Sequence, residues 1–235
     1  MSGWLSPEEW SALALSFKVA AWCTVCGIIP AVWLGWLLAR RRFPGKSLVD
    51  ALVHLPLVLP PVVPGYLLLL AFGHNGVIGR WLLEHTGISF AFNWKGAALA
   101  SLVMGLPLMV QSIRLAIQLV DRKLEDAART LGAGGLSVFF TVTLPLALPG
   151  ILAGALLGFS RSLGEFGATI TFVGNIDGET RTLPLAIYSV IHQPDGEAMA
   201  SRLIVISLAL AFGALLVSNR VSQRMRQRLG YAADA

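Results

Sequence analysis

Charge is what this sequence has least of. Of its 235 residues only 13% are Asp, Glu, Lys or Arg, whereas 55% are hydrophobic; a soluble globular chain carries about 25% charged residues. A soluble fold of this length would have to hide several long apolar runs around one core. A bilayer, with roughly 30 Å of hydrocarbon, requires such runs. The composition therefore excludes most soluble enzymes and predicts an all-α, polytopic membrane protein. Cysteine is scarce too: Cys23 and Cys26 are the only two, which excludes a disulfide framework. Their CxxC spacing falls inside an apolar run with no further ligand nearby, so they read as small packed residues rather than a redox or metal pair. The four histidines, His54, His74, His85 and His192, are dispersed, and no Ser, His and acid are assembled by local spacing. An intramembrane enzyme built on His54, Arg161 and Glu165 is therefore the weaker alternative.

The start, Met1 to Glu9, lacks the positive n-region of a cleaved signal peptide. The first apolar segment is expected to stay as a span, with no room for another before Leu13. No G-x-x-x-x-G-K-[ST] phosphate loop occurs, so nucleotide hydrolysis is expected of a partner. The net charge of +5 and pI near 9.7 come from Lys and Arg placed between apolar runs. That is the pattern of cytoplasmic loops rather than of a nucleic-acid surface.

Uncharged runs cover Val19–Leu38, Ala51–Gly73, Gly96–Ile113, Thr130–Ser160 and Leu203–Asn219. The fourth is too long for one simple helix, and its Gly132, Gly134, Gly135, Pro145, Pro149 and Gly150 predict a loop-and-helix element followed by a span near Leu146–Thr171. About five transmembrane helices result. With the N-terminus outside, the inner segments hold Arg40, Arg41, Arg42, Lys46; Arg114, Arg122, Lys123, Arg129; and Arg220, Arg224, Arg226, Arg228. The outer ones hold Arg80, Lys95, Arg181 and Arg202. Twelve against four orients the chain, N-terminus outside and C-terminus cytoplasmic. With an odd number of spans and no tandem repeat, a secondary transporter built from internal repeats is a poor fit. Residues 1–235 read as one membrane domain. Of the two outer connections, Gly73 to Lys95 and Thr171 to Arg202, the second includes Thr182–Ile191, which is uncharged but too short to span and reads as an interfacial or re-entrant helix.

The most informative cytoplasmic stretch is 121–145. Asp121 to Thr130 reads as a short charged helix with Glu125 and Arg129 paired at i,i+4. Gly132 to Gly135 stop it, and Leu136 to Val142 begin a second helix. The spacing Asp126-Ala127-Ala128, three residues, Gly132, nine residues, Val142-Thr-Leu144-Pro145 resembles the E-A-A-x3-G-x9-I-x-L-P motif of ABC-importer permeases, with Asp126 for Glu and Val142 for Ile. A second stretch, Ser160-Arg161-Ser162-Leu163-Gly164-Glu165-Phe166-Gly167-Ala168-Thr169-Ile170-Thr171-Phe172, with Gly178-Glu179-Thr180-Arg181-Thr182, resembles molybdate permeases of that class. So do Phe43-Pro44-Gly45-Lys46 and Leu55 to Val63. Sulfate permeases share the Gly-Glu-aromatic-Gly core, so permeases for sulfate, thiosulfate or tungstate stay open as alternatives. The resemblance covers about Leu13 to Asn219.

It implies a type I ABC-importer permease fold, with a cytoplasmic element at Glu125, Asp126, Ala127, Ala128, Arg129, Leu131, Gly132, Leu144 and Pro145 that couples to an ABC ATPase dimer. It also implies a second permease copy, a periplasmic oxyanion-binding protein, no cofactor on this chain, and ATP with Mg on the partner. The translocation pathway or gate is expected around Pro60, Pro61, Pro64, Arg161, Ser162, Glu165, Phe166 and Gly167. Arg161 and Glu165 stand one turn apart and can pair in the membrane; that pair can serve gating or only packing. Four prolines, Pro56, Pro60, Pro61 and Pro64, must distort the second span, either to line a cavity or to shape a kink. His54 reads as hydrogen-bonded or interfacial. Lys18 can snorkel to the outer surface, and Trp22, Trp33, Trp36 and Trp94 suit interfacial anchoring. The basic run Arg220 to Arg228 suits anionic lipid or the ATPase.

Overall fold

The computed structural model describes residues 5–194 and 196–228. The described residues are helical throughout, in the order α1 (Pro7–Arg40), α2 (Lys46–Val58), α3 (Val62–Phe72), α4 (Val77–Thr86), α5 (Trp94–Leu119), α6 (Arg122–Thr130), α7 (Gly135–Val138), α8 (Leu144–Leu163), α9 (Gly167–Val173), α10 (Leu183–Ile191) and α11 (Glu197–Arg228). A π-helical turn over Phe139–Thr143 joins α7 to α8, so Gly135–Leu163 is one rod of 29 residues.

Helix α1 begins with a capping box: the Ser6 hydroxyl accepts from Glu9 N–H and the Glu9 carboxylate accepts from Ser6 N–H. Three contacts fix how the long helices run. Lys18 lies 3.8 Å over the Trp94 ring, placing the early part of α1 beside the start of α5. Arg40 donates to Val120 O at 2.8 Å, placing the two C-terminal ends together. Glu9 accepts from Arg202 at 3.1 Å, which brings the start of α11 to the start of α1. Helices α1 and α5 are thus parallel neighbours, and the chain between them must cross back. Helices α2 and α3 make that crossing as a pair bent by 112° at Leu59–Pro61. Pro60 and Pro61 supply no N–H to a continuing helix, and the break follows. Taking the bent pair as one span, the crossings among the described residues number five with α1, α5, the rod and α11; the basic residues give the N-out arrangement.

Lipid tails are as apolar as leucine, so close packing rather than water exclusion must hold such helices together. Helix α5 sits at the centre, packed along both α1 and α8, which also touch each other. Its outer half packs with Leu15, Val19, Ala168 and Phe172, its inner half with Ala31, Leu38, Ala147 and Ile151. Small residues set the approach on α8: a Cβ on Gly150 would stand 2.1 Å from Ala116 Cβ, and one on Gly158 would stand 2.6 Å from Met109 Cγ.

Two expectations need correction. From Gly135 onward the long Gly- and Pro-rich run forms a continuous rod, because Gly150, Gly154 and Gly158 recur every fourth residue and serve as a contact face rather than as breakers. Pro145 lies in the first turn of α8, directly after the π turn, which spares the ring a clash with a regular preceding turn. The crossing near Leu146–Thr171 is instead interrupted at Gly164–Phe166. Cys23 is buried as expected, but Cys26 is exposed. Helix α10 tucks under α1, where the buried Ser16 hydroxyl accepts from Leu183 N–H at 2.7 Å.

Candidate functional site

The cytoplasmic knob is built on α6. Asp121 caps it, its carboxylate accepting from Lys123 N–H at 2.9 Å. A Schellman pattern ends it: Gly132 N–H donates to Arg129 O at 2.9 Å and Ala133 N–H to Ala128 O at 3.1 Å. Gly132 carries φ +89°, a left-handed conformation that a side chain disfavours. One carboxylate holds this knob to the bundle. Glu125 is buried and accepts from Arg40 Nε at 3.1 Å and from the Thr143 hydroxyl at 2.7 Å. Arg40 closes α1 and Thr143 lies in the π turn, so α6 is tied to two spans at once.

The expected Glu125–Arg129 pair does not form. Arg129 pairs with Asp126 at 2.6 Å, because Glu125 points inward to Arg40. Asp126, Ala127, Arg129, Leu131 and Gly132 are exposed and Ala128 is half-buried. Leu131 is 88% exposed, an apolar side chain on a cytoplasmic surface that no described residue covers. Leu144 is half-buried and Pro145 exposed, both on the rod rather than on the knob itself. Sequence reasoning singled out Glu125 but missed Arg40 and Thr143, which lie 85 and 18 residues away; no local pattern carried that pairing.

A second cluster lies inside the membrane, where two interrupted crossings meet. Helix α3 packs against α9: a Cβ on Gly65 would stand 2.6 Å from Ala168 O, and one on Gly167 would stand 2.7 Å from Pro61 Cβ. Arg161 and Glu165 pair at 2.7 Å. The other Glu165 oxygen accepts from Ala168 N–H at 2.9 Å, so this carboxylate also caps the start of α9. Ser162 is buried, with no partner for its hydroxyl among the described residues. Phe166 packs against Tyr188 of α10, the rings tilted with centroids 5.1 Å apart. Pro61, Pro64, Arg161, Ser162, Glu165, Phe166 and Gly167 therefore share one region, and Pro60 sits at the bend, its carbonyl accepting from Val63 N–H at 2.8 Å.

Nearer the cytoplasm, a polar cavity of about 520 Å³ opens between α2 and α5, lined by Ser47, Asp50, His54, Gln111, Arg114 and Gln118 among others. Arg114 grips both Asp50 oxygens, at 2.8 and 3.0 Å. His54 Nδ1 lies 2.8 Å from Asp50 O, the hydrogen-bonded placement expected for it. The side chains of Arg224, Arg226 and Arg228 lie outside the described residues.

A bundle of five crossings with two interrupted helices in the membrane and a capped, exposed knob on its cytoplasmic side is the architecture of a transport permease. The chain belongs to the family of binding-protein-dependent transport system inner membrane components, which it matches over residues 31–227. It is 56% identical over 226 residues to the molybdenum transport system permease protein ModB of Escherichia coli K12, covering 96% of this chain and 99% of that one. Against the ModB protein of Mycobacterium tuberculosis H37Rv the identity is 46% over 206 residues, 87% of this chain and 78% of the relative. The sulfate transport system permease protein CysT of E. coli K12 is 34% identical over 223 residues, 94% and 80% of the two chains. Among solved structures, a bacterial ABC transporter that imports the acidic polysaccharide alginate superposes with TM-score 0.74 at 16% identity, covering 94% of this chain and 80% of that one. The MetNI methionine transporter does so with TM-score 0.66 at 20% identity, covering 92% and 93%. Those two share the fold, that of type I ABC-importer permeases.

Proposed function

We propose that this chain is the membrane subunit of an ATP-driven importer of molybdate, working as a pair of identical copies with a separate ATPase dimer and an external oxyanion-binding protein. The observation that carries the substrate is the identity of 56% over nearly the full chain to a molybdenum permease, against 34% to a sulfate permease. ATP and Mg belong to the ATPase, since this chain has no phosphate-binding loop. Residues 1–235 act as one membrane domain, with 121–145 as its coupling element.

In this reading the exposed face of α6, with Asp126, Ala127, Arg129 and Leu131, enters a groove on the ATPase. The Glu125 clamp carries its displacement to α1 through Arg40 and to the rod through Thr143. At the far end of the rod the Gly164–Phe166 interruption abuts the α2–α3 bend, so movement of α8 is delivered to Pro61 and Gly167. The paired breaks form the gate. The Arg161–Glu165 pair holds α8 to α9 and keeps the charge neutral where the anion must pass.

Uptake of radiolabelled molybdate into proteoliposomes holding the permease, its ATPase and its binding protein tests this reading. ATP-dependent uptake, suppressed by excess unlabelled molybdate but not by the same excess of sulfate, is the expected result. Sulfate uptake that molybdate does not suppress would transfer the chain to the sulfate permeases.

A further inference from the structure

The cytoplasmic half of α1 and the Gly135–Leu163 rod touch through Trp36 and Phe139, ring centroids 5.9 Å apart, and leave a groove open beside that contact. Between them, above α6, lies a cavity of about 1120 Å³ with two unlike zones. Its deep wall is apolar. Ile29 and Trp33 of α1 face it at 75% and 59% exposure, and Leu136 and Phe140 of the rod at 79% and 61%. Its mouth is cationic: Arg40, Arg41, Arg122 and Arg129 stand beside two carboxylates only, Glu125 and Asp126. Both carboxylates are engaged, Glu125 by Arg40 and Asp126 by Arg129. Arg41 and Arg122 are left with positive charge that no ion pair among the described residues offsets. Arg41 lies 5.1 Å over the Trp36 ring, at the border of the two zones.

The depth of the groove narrows the choice of occupant. From Ile29 to Arg40 is about 16 Å of helix, half of the ~30 Å hydrocarbon core. A spanning helix of another protein would need both leaflets. A free oxyanion would make no use of the apolar wall. An anionic headgroup joined to a hydrocarbon chain fits both zones at once.

We propose that this groove binds an anionic phospholipid of the cytoplasmic leaflet, its phosphate between Arg41 and Arg122 and an acyl chain against Ile29, Trp33 and Phe140. The headgroup then lies against the same α6 that carries the coupling surface, and membrane charge bears on how firmly the knob is seated.

The test uses the permease assembled with its ATPase in nanodiscs of phosphatidylcholine containing a fixed fraction of lipid brominated on its acyl chains, either phosphatidylglycerol or phosphatidylcholine. The Trp33 share of the fluorescence is obtained by difference from Trp33→Phe. Brominated phosphatidylglycerol should quench that share more strongly than brominated phosphatidylcholine. The preference should fall roughly fivefold for each arginine neutralised in Arg41→Gln and Arg122→Gln, and persist in Arg41→Lys with Arg122→Lys. Millimolar inorganic phosphate should leave the quenching unchanged; displacement would assign the arginines to a free anion and overturn the proposal. Equal quenching by the two lipids overturns it, as does a preference that survives both Gln changes. A preference seen with the permease alone but lost in the assembled transporter would give the groove to the ATPase. If the Gln variants do not assemble, the two-lipid comparison on the native protein and the Lys variant still decides.

Discussion

At the scale of single residues, the knob rests on one carboxylate and one glycine. Glu125 is buried with Arg40 at 3.1 Å and Thr143 at 2.7 Å, so its removal leaves a buried guanidinium without its counter-charge. Breaking such a pair costs about 3–5 kcal/mol in soluble proteins. Glu125→Ala and Arg40→Ala should each lower thermal stability of the purified transporter steeply, while the double change costs clearly less than their sum. Additive losses in that double-mutant cycle would show that the two do not act on each other. Gly132 makes a different case. A Cβ there would meet nothing within 4 Å, so crowding is not the obstacle; the positive φ is, at about 1–2 kcal/mol for a side-chain-bearing residue. Gly132→Ala should insert normally and reduce molybdate moved per ATP hydrolysed. Gly132→Trp adds bulk beside the exposed Leu131 and should abolish transport while hydrolysis continues. A normal transport-to-hydrolysis ratio in the Trp variant would remove this turn from the coupling surface.

At the scale of elements, glycine decides how the helices meet, and the same residue type works in opposite ways. Gly65 lies where α3 crosses α9, with Ala168 O and Cα at 2.6 and 2.8 Å from where its Cβ would be, whereas Gly213 in α11 has open space around it. Backbone cannot step aside as a flexible side chain does. Gly65→Ala should therefore part the two interrupted crossings and reduce uptake by an order of magnitude, while Gly213→Ala should be silent or slightly favourable through helix propensity. Uptake assays on both variants, with membrane content matched, check the contrast. The same duality explains what could be read in the chain. Apolar runs foretold about five crossings, because a span depends on composition along one segment. The fourth crossing was misplaced because Pro145, Pro149 and Gly150 read as breakers in isolation; that Gly150, with Gly158, serves as a contact face appears only with Ala116 and Met109 of α5 opposite them. The motif residues from Glu125 to Gly132 were legible as a helix and turn. The clamp to Arg40 was not, since it joins residues 85 apart in sequence.

At the scale of the whole molecule, the distribution of charge bears on where selectivity resides. A dianion held tightly inside a membrane needs unopposed positive charge, or several N–H donors aimed at one point. Here the cations nearest the centre of the bundle already have partners: Arg161 pairs with Glu165 at 2.7 Å, and Arg114 holds both oxygens of Asp50. The α9 N-terminus, which could otherwise face an anion, is occupied by the Glu165 carboxylate through Ala168 N–H. On the proposed reading, a pathway so neutralised would pass an oxyanion without trapping it, which suits a subunit that must release its substrate each cycle. Discrimination between molybdate and sulfate then falls to the external binding protein, before the anion enters the membrane. Titration calorimetry on the detergent-solubilised permease, free of that binding protein, should accordingly register no molybdate binding tighter than roughly millimolar, about 4 kcal/mol. Micromolar binding would place a selective site in the membrane after all. Its loss in Arg114→Gln but not in Arg161→Gln would locate that site in the polar cavity between α2 and α5, and the reverse pattern would locate it at the meeting of the two interrupted helices.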